Sequence, residues 1–142
     1  MLSFYSPYID KEIRDFVVGK IYAELENLGT ELPQFLIIGG DTNTVQSRID
    51  KKGGNLVLKQ HAIQAYDTLK TRFDLVDSYR IKNPYKSEYT WEKLNPEIIQ
   101  ERIDIIYVSN SLQSFIHNSG IIPPSKTCSD HGIPFVHIKG FG

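Results

Sequence analysis

Asp41 and Asn43 stand two positions apart directly after Gly39-Gly40, so in an extended segment a carboxylate and a carboxamide point to the same side. The paired glycines would let a substrate backbone come close. The same four residue types also suit a plain turn, because Gly, Asp and Asn favour turns for backbone reasons. Arg102 and Asp104 share one face of an apolar stretch, opposite Ile103 and Ile105. A carboxylate buried there without a partner would cost several kcal/mol, which calls for a cation, a histidine or a metal; on an edge strand the pair would instead be a surface ion pair of little worth. Ser129-Asp130-His131 sets a carboxylate beside an imidazole. That combination supplies a metal ligand or proton acceptor next to a hydrogen-bond donor or acid, in a triplet that also reads as an ordinary loop. Finally, Arg80, Lys82 and Lys86 interleave with Tyr85, Tyr89 and Trp91, a composition suited to phosphates and stacked bases or, alternatively, to one packed strand face. His61, His117 and His137 have no ligand-like spacing.

Regular elements must carry these groups. Residues 2–6 read as a short strand that ends at Pro7, which has no amide hydrogen to pair. Over residues 10–28 the apolar positions Ile13, Phe16, Val17, Ile21, Leu25 and Leu28 recur at helical spacing, with Asp10 as N-cap and Gly29 as the stop. Residues 35–38 form a continuous apolar run, which fits a strand buried on both faces. Strand, helix and strand in this order predict a parallel crossover. Residues 51–54 mark an exposed loop, and a second helix spans about residues 59–73. Further strands are expected at residues 75–77, 88–91, 102–108 and 133–138, with a loop at 82–86. The pattern is one α/β layered unit, and in open α/β sheets ligands gather at the carboxyl ends of strands, where Asp41 would stand.

Composition narrows the chemistry. Sixteen Lys and Arg against seventeen Asp and Glu give a formal net charge of -1, so no global positive field recruits a polyanion and any nucleic-acid handling must be local. The single cysteine, Cys128, excludes an internal disulfide and a thiolate zinc cluster, leaving oxygen and imidazole for a metal. No apolar run approaches the roughly 20 residues of a membrane span and no secretory signal opens the chain, so an intracellular setting, nuclear or cytoplasmic, and no membrane partner are expected.

Taken in order, Phe4-Tyr5-Ser6-Pro7, Gly40-Asp41-Thr42-Asn43, Asp77-Ser78-Tyr79-Arg80 with Tyr89-Thr90-Trp91, Arg102-Ile103-Asp104-Ile105-Ile106 and Ser129-Asp130-His131 make nearly the whole chain resemble the endonuclease/exonuclease/phosphatase family. The closest likeness is to its retrotransposon-type and apurinic-endonuclease-like branch. The resemblance implies a fold: the C-terminal half of a four-layer α/β sandwich, two packed mixed sheets flanked by helices, with residues 1–142 lacking the N-terminal half. It also implies a phosphodiesterase dependent on Mg²⁺ (or Mn²⁺), most simply a DNA-nicking endonuclease module. Asp41 would position or deprotonate the attacking water, Asn43 would hold that water or a phosphate oxygen, and His131 would contact the scissile phosphate. Asp104 would orient His131, Asp130 with Asp41 would hold the metal, and Tyr5 would take the family's aromatic position. Arg80, Lys82, Lys86 and Trp91 would meet nucleic acid.

Two departures qualify the likeness. Thr42 stands where the family commonly has Phe, which should loosen local packing. No counterpart of the family's early Asn motif or metal-ligating Glu precedes Tyr5, so the chain is expected to be inactive until its missing half, self-association or a second chain completes the sandwich. Two other readings remain open at this point: a phosphatase of small phosphate esters, and a non-catalytic remnant that binds nucleic acid or protein.

Overall fold

The structure, a computed structural model, describes residues 2–27 and 35–140. Its elements in chain order are β1 (Leu2–Tyr5), α1 (Asp10–Phe16), a π-helical turn (Val17–Ile21) leading into α2 (Tyr22–Glu26), β2 (Ile37–Asp41), β3 (Lys51–Lys52), α3 (Gln60–Arg72), β4 (Leu75–Asp77), α4 (Ser78–Lys82), β5 (Trp91–Lys93), β6 (Ile99–Glu101), β7 (Asp104–Ser109), β8 (Ile116–Ile122) and β9 (Ile133–Ile138). A mixed sheet runs in the order β1-β2-β7-β4. In it β1 and β2 are parallel, as the crossover requires, and β7 is antiparallel to both β2 and β4. The strands β3-β6-β5 and the hairpin β8-β9 form two smaller antiparallel sheets.

Strand alternation in β7 decides the layering. Ile105 and Tyr107 face one side, where they meet Ile38, the stripe Ile13, Val17, Ile21 and Leu25, and Ala62, Ala65, Tyr66 and Leu69 of α3. Ile106 and Val108 face the other, against Leu112, Ile116, Val136 and Ile138. Helices thus cover one face of the mixed sheet and the hairpin β8-β9 covers part of the other. The π turn, where the Tyr22 amide reaches back to the Val17 carbonyl, lets the adjacent Ile21 and Tyr22 both enter the buried stripe.

Several local expectations change. The second strand continues through both glycines to Asp41, because a Cβ on Gly40 would lie 2.1 Å from the Phe4 carbonyl oxygen and 2.7 Å from its ring. Gly40 therefore lets β1 close on β2, and it is Phe4, not a substrate, that uses the space. Asp10 does not cap its own helix; Ile9 holds that position, and Asp10 Oδ1 accepts the Ala62 amide of α3 at 2.7 Å. Leu28 and Gly29, the expected end of that helix, lie outside the described residues. Residues 51–52 pair as β3 instead of forming an open loop, the strand expected at 88–91 starts at Trp91, and α4, β6 and β8 were not expected.

Arg102 settles its own alternative. It is 3% exposed and bonds Asp50 (Nε to Oδ1, 2.8 Å) and Asp77 (Nη2 to Oδ2, 2.6 Å), not Asp104. Strand β7 is internal to its sheet, so no edge-strand surface pair exists there. Arg80 also bonds Asp50 and donates to the Asn83 and Lys86 carbonyls at 2.9 and 2.8 Å. Among the described residues no helix is long and apolar enough to cross a membrane.

Candidate active site

At one end of the mixed sheet, Asp104 opens β7 beside the segment that enters β9. Its Oδ2 accepts from His131 Nδ1 at 2.9 Å. The approach is built by Thr90, which is fully buried. Its hydroxyl accepts the Ile103 and Asp104 amides, both at 3.0 Å, while its carbonyl accepts the Gly132 amide at 2.6 Å. Trp91 then pairs with His131 as an antiparallel bridge, and the Glu92 amide donates to the Asp130 carbonyl at 3.1 Å. One threonine and its neighbours therefore fasten the acid strand to the histidine loop. With Nδ1–H committed to a carboxylate, Nε2 is the nitrogen left for chemistry.

Asp41 reaches the same place from β2, in register with Asp104. Ligand atoms of Asp41, Asp104 and His131 all lie within 4.8 Å of one another. The chain turns sharply after Asp41: Asn43 adopts φ +49°, its amide donates to Asp41 Oδ1 at 2.8 Å, and its side chain donates to the Ser6 carbonyl at 2.7 Å. Left-handed backbone is tolerated by Asn better than by most side chains. Thr42 tightens this turn where looser packing was expected. It is fully buried, and its hydroxyl donates to the Ile103 and Thr44 carbonyls at 2.9 and 3.0 Å. A Phe could not make those bonds.

Lys59, just before α3, was not singled out by the sequence reading. Its ammonium donates to the carbonyls of Tyr8 (2.6 Å) and Asn43 (2.7 Å) and lies 3.8 Å from the centroid of the Tyr8 ring. A lone lysine at a helix start carries no motif that would have flagged it. Glu101 and Lys51, paired at 3.3 Å, also line the site and were likewise missed.

These groups border one cavity of about 560 Å³, lined by Tyr5, Asp41, Asn43, Lys59, Trp91, Asp130 and His131 among others. Its electrostatics follow from carboxylates in partial burial. Burial pushes the Asp41 carboxyl above the usual range; the Asn43 amide pulls it back, and the Asp104 charge adds to the push. For His131, burial works against the charged ring, but the hydrogen bond and charge of Asp104, helped by Asp41 and Asp130, outweigh it and the imidazole is raised. Burial lowers the Lys59 ammonium, opposed by Glu101, Asp10 and Asp41.

Of the residues expected here, Asp41, Asn43, Asp104, Asp130, His131, Tyr5 and Trp91 come together. Asp130 is exposed and lies outside the three-residue cluster, its carboxylate accepting from Trp91 Nε1 and Ser129 Oγ, both at 3.3 Å. Asp41, Asp104 and His131 form a three-residue group that could hold a metal ion; Asp130, expected beside Asp41, lines the same cavity. Arg80, Lys82 and Lys86 do not line the cavity. Arg80 is held by Asp50 and backbone carbonyls, and Lys86 faces Glu88 at 3.6 Å.

Compared by sequence, the chain matches no protein-family profile and no curated protein. Compared by structure, 96% of it superposes on an AP endonuclease from Archaeoglobus fulgidus with a TM-score of 0.71 at 16% identity, covering 60% of that chain. It is similarly close to the endonuclease domain of TRAS1, a telomere-specific non-LTR retrotransposon, with a TM-score of 0.70, 18% identity, and coverage of 98% of this chain and 57% of that one. A 3′ phosphatase, NExo (D146N), from Neisseria bound to product DNA hairpin, gives a TM-score of 0.66 at 17% identity over 92% of this chain and 50% of that one. The chain thus spans only half to three fifths of these proteins. Strand order, the mixed sheet packed between helices and hairpin, and these superpositions agree: the chain has part of a DNase I-like α/β fold.

Proposed function

We propose that the chain is a phosphodiesterase module acting on DNA, most simply a nicking endonuclease of retrotransposon or apurinic type that works in a nuclear or cytoplasmic setting. The observation that carries this reading is the Asp104–His131 pair at 2.9 Å on the same cavity as Asp41. Asp104 holds Nδ1–H and so turns His131 Nε2 to the cavity, and the raised pKa favours the imidazolium, whose Nε2–H donates to a non-bridging phosphate oxygen. Asp41, in turn, is a carboxylate whose raised pKa makes it the better proton acceptor, and it holds the attacking water. Asn43 orients that water, with Tyr5 beside the phosphate.

The donor set fits a divalent cation. Asp41 and Asp104 approach each other at the cost of mutual repulsion, and a phosphodiester cannot approach them without added positive charge. Asp41 and Asp104, with Asp130 at the margin, would hold Mg²⁺ or Mn²⁺ through oxygen. Such an ion supplies neutralisation of the phosphate oxygens and a more acidic water.

Because the chain spans half to three fifths of the similar structures, we further propose that a second unit, covalent or a second chain, completes both the sheet sandwich and the ligand set. Plasmid nicking in Mg²⁺ tests this directly: little activity is expected from the 142 residues alone, restored by fusion to a family N-terminal half and abolished by EDTA. A fused domain that leaves plasmid intact would sink the reading. Light scattering on the isolated chain should show self-association. A phosphatase of DNA 3′ ends is the second reading, favoured by the similarity to the Neisseria 3′ phosphatase. Release of inorganic phosphate from a 3′-phosphorylated oligonucleotide, without nicking, would select it.

A further inference from the structure

Tyr8 is 72% exposed, yet it is not a free side chain. The Lys59 ammonium sits 3.8 Å from its ring centroid, and that ammonium is itself anchored by the Tyr8 and Asn43 carbonyls at 2.6 and 2.7 Å. A cation occupies one face of a ring; with the ring this exposed, the opposite face is open. An aromatic plane held still loses little rotamer freedom on binding, which is how rigid aromatics add affinity. Two more exposed groups line the same cavity, Tyr5 at 74% and Val57 at 70%. The cavity therefore joins an apolar, partly aromatic rim to a polar group of Asp41 and His131. Its complement is a ligand with a flat ring next to a phosphate. Base faces are hidden inside a duplex and open in a single strand.

We propose that Tyr8, pinned by Lys59, is a stacking platform for an unpaired nucleobase adjoining the phosphate site, so that the protein prefers single-stranded or locally opened nucleic acid to intact duplex. This rests on the reading of the cavity as a phosphodiester site. The platform acts on binding, with no bond made or broken, and is sequence-tolerant because every base has a π-face.

The test uses the full 142-residue chain in EDTA and a short oligonucleotide carrying 2-aminopurine, alone or annealed to its complement. Binding of the single strand should quench the fluorophore by stacking, and the duplex should bind more weakly without the quench. Tyr8→Leu keeps an apolar side chain and the backbone bond to Lys59 but removes the ring. It should weaken single-strand binding about tenfold and abolish the quench, while Tyr8→Phe retains both. Equal affinity for single strand and duplex, or undiminished quenching with Tyr8→Leu, overturns the proposal. The two readings fail separately. A fused domain that cleaves with the same strand preference after Tyr8→Leu removes the platform and leaves the nuclease. Tyr8-dependent quenching in a fused domain that never cleaves removes the nuclease and leaves the platform.

Discussion

Among the described residues, the carboxylate–cation clusters around Arg102 and around His131 are built on opposite terms. Around Arg102, two aspartates, Asp50 and Asp77, meet two guanidiniums, Arg102 and Arg80; the charges balance and the cluster is largely sealed from water. Burial alone would lower the Arg102 pKa, but Asp77 and Asp50 raise it, so its charge is secure. Around His131, Asp104 bonds the imidazole and Asp41 stands within 4.8 Å of both, while the ammonium of Lys59, on the same cavity, spends its hydrogen bonds on backbone carbonyls. Negative charge is left over, and it faces a cavity. The same residue types thus serve stability where partners close the balance, and chemistry where an incoming group must close it.

Breaking the balanced cluster should have the largest effect. Arg102→Leu leaves two aspartates in the interior without their main partner, a change that costs about 3–5 kcal/mol, visible as a lower urea midpoint; an unchanged midpoint would mean that water already reaches Asp50 and Asp77. In the open cluster, Asp41→Asn should lower single-turnover cleavage by the fused domain about 10²-fold or more while stability holds or improves. The sign follows from the raised pKa: the folded state binds the Asp41 proton more tightly than the unfolded state, so ionised Asp41 weakens the fold as pH rises through that value, and Asn removes the penalty at neutral pH but gains nothing in acid.

A smaller shift is expected for Asp104→Asn. With a raised folded-state pKa, His131 stabilises the fold fully below its ordinary value of about 6.5 and loses that contribution as pH rises through the folded value. The substitution should lower the midpoint of the His131 NMR titration and flatten this part of the stability profile; a midpoint that does not fall would show that Asp104 does not hold the imidazolium. The smallest effect concerns Lys82 and Lys86. Replacing both by Ala should flatten log K against log salt for DNA by up to about one unit per lost phosphate contact. Identical slopes would confine the nucleic-acid surface to the cavity rim.

Which parts of this were legible in the sequence follows from how local each signal is. The crossover, the long helices and the strand at 133–138 announce themselves by periodicity over several residues. Two- and three-residue strands such as β3 and β6 have no room for a period, and they form because a partner strand lies opposite, β6 for β3 and both β3 and β5 for β6. Asp41, Asp104 and His131 were visible because short motifs surround them. Lys59 had no such motif, and Thr90, inside Tyr89-Thr90-Trp91, had no assigned role, since both work through carbonyls and amides supplied from distant segments. Arg80 is the complementary case: a cation among aromatics reads as a phosphate binder, while its partner Asp50 lies thirty residues earlier, where no local pattern announces it.

The position of β7 between β2 and β4 also governs how the chain can be made. During synthesis β2 and β4 emerge well before the strand that joins them. Until residue 109 has left the ribosome, β2 carries an unpaired apolar edge next to β1, and β4 has no partner in its sheet. Open edges of this kind template pairing with other chains. A ribosome paused before residue 104 therefore displays an adhesive nascent chain, and chaperone occupancy should be highest while residues 41 to 103 are exposed and fall once β7 docks.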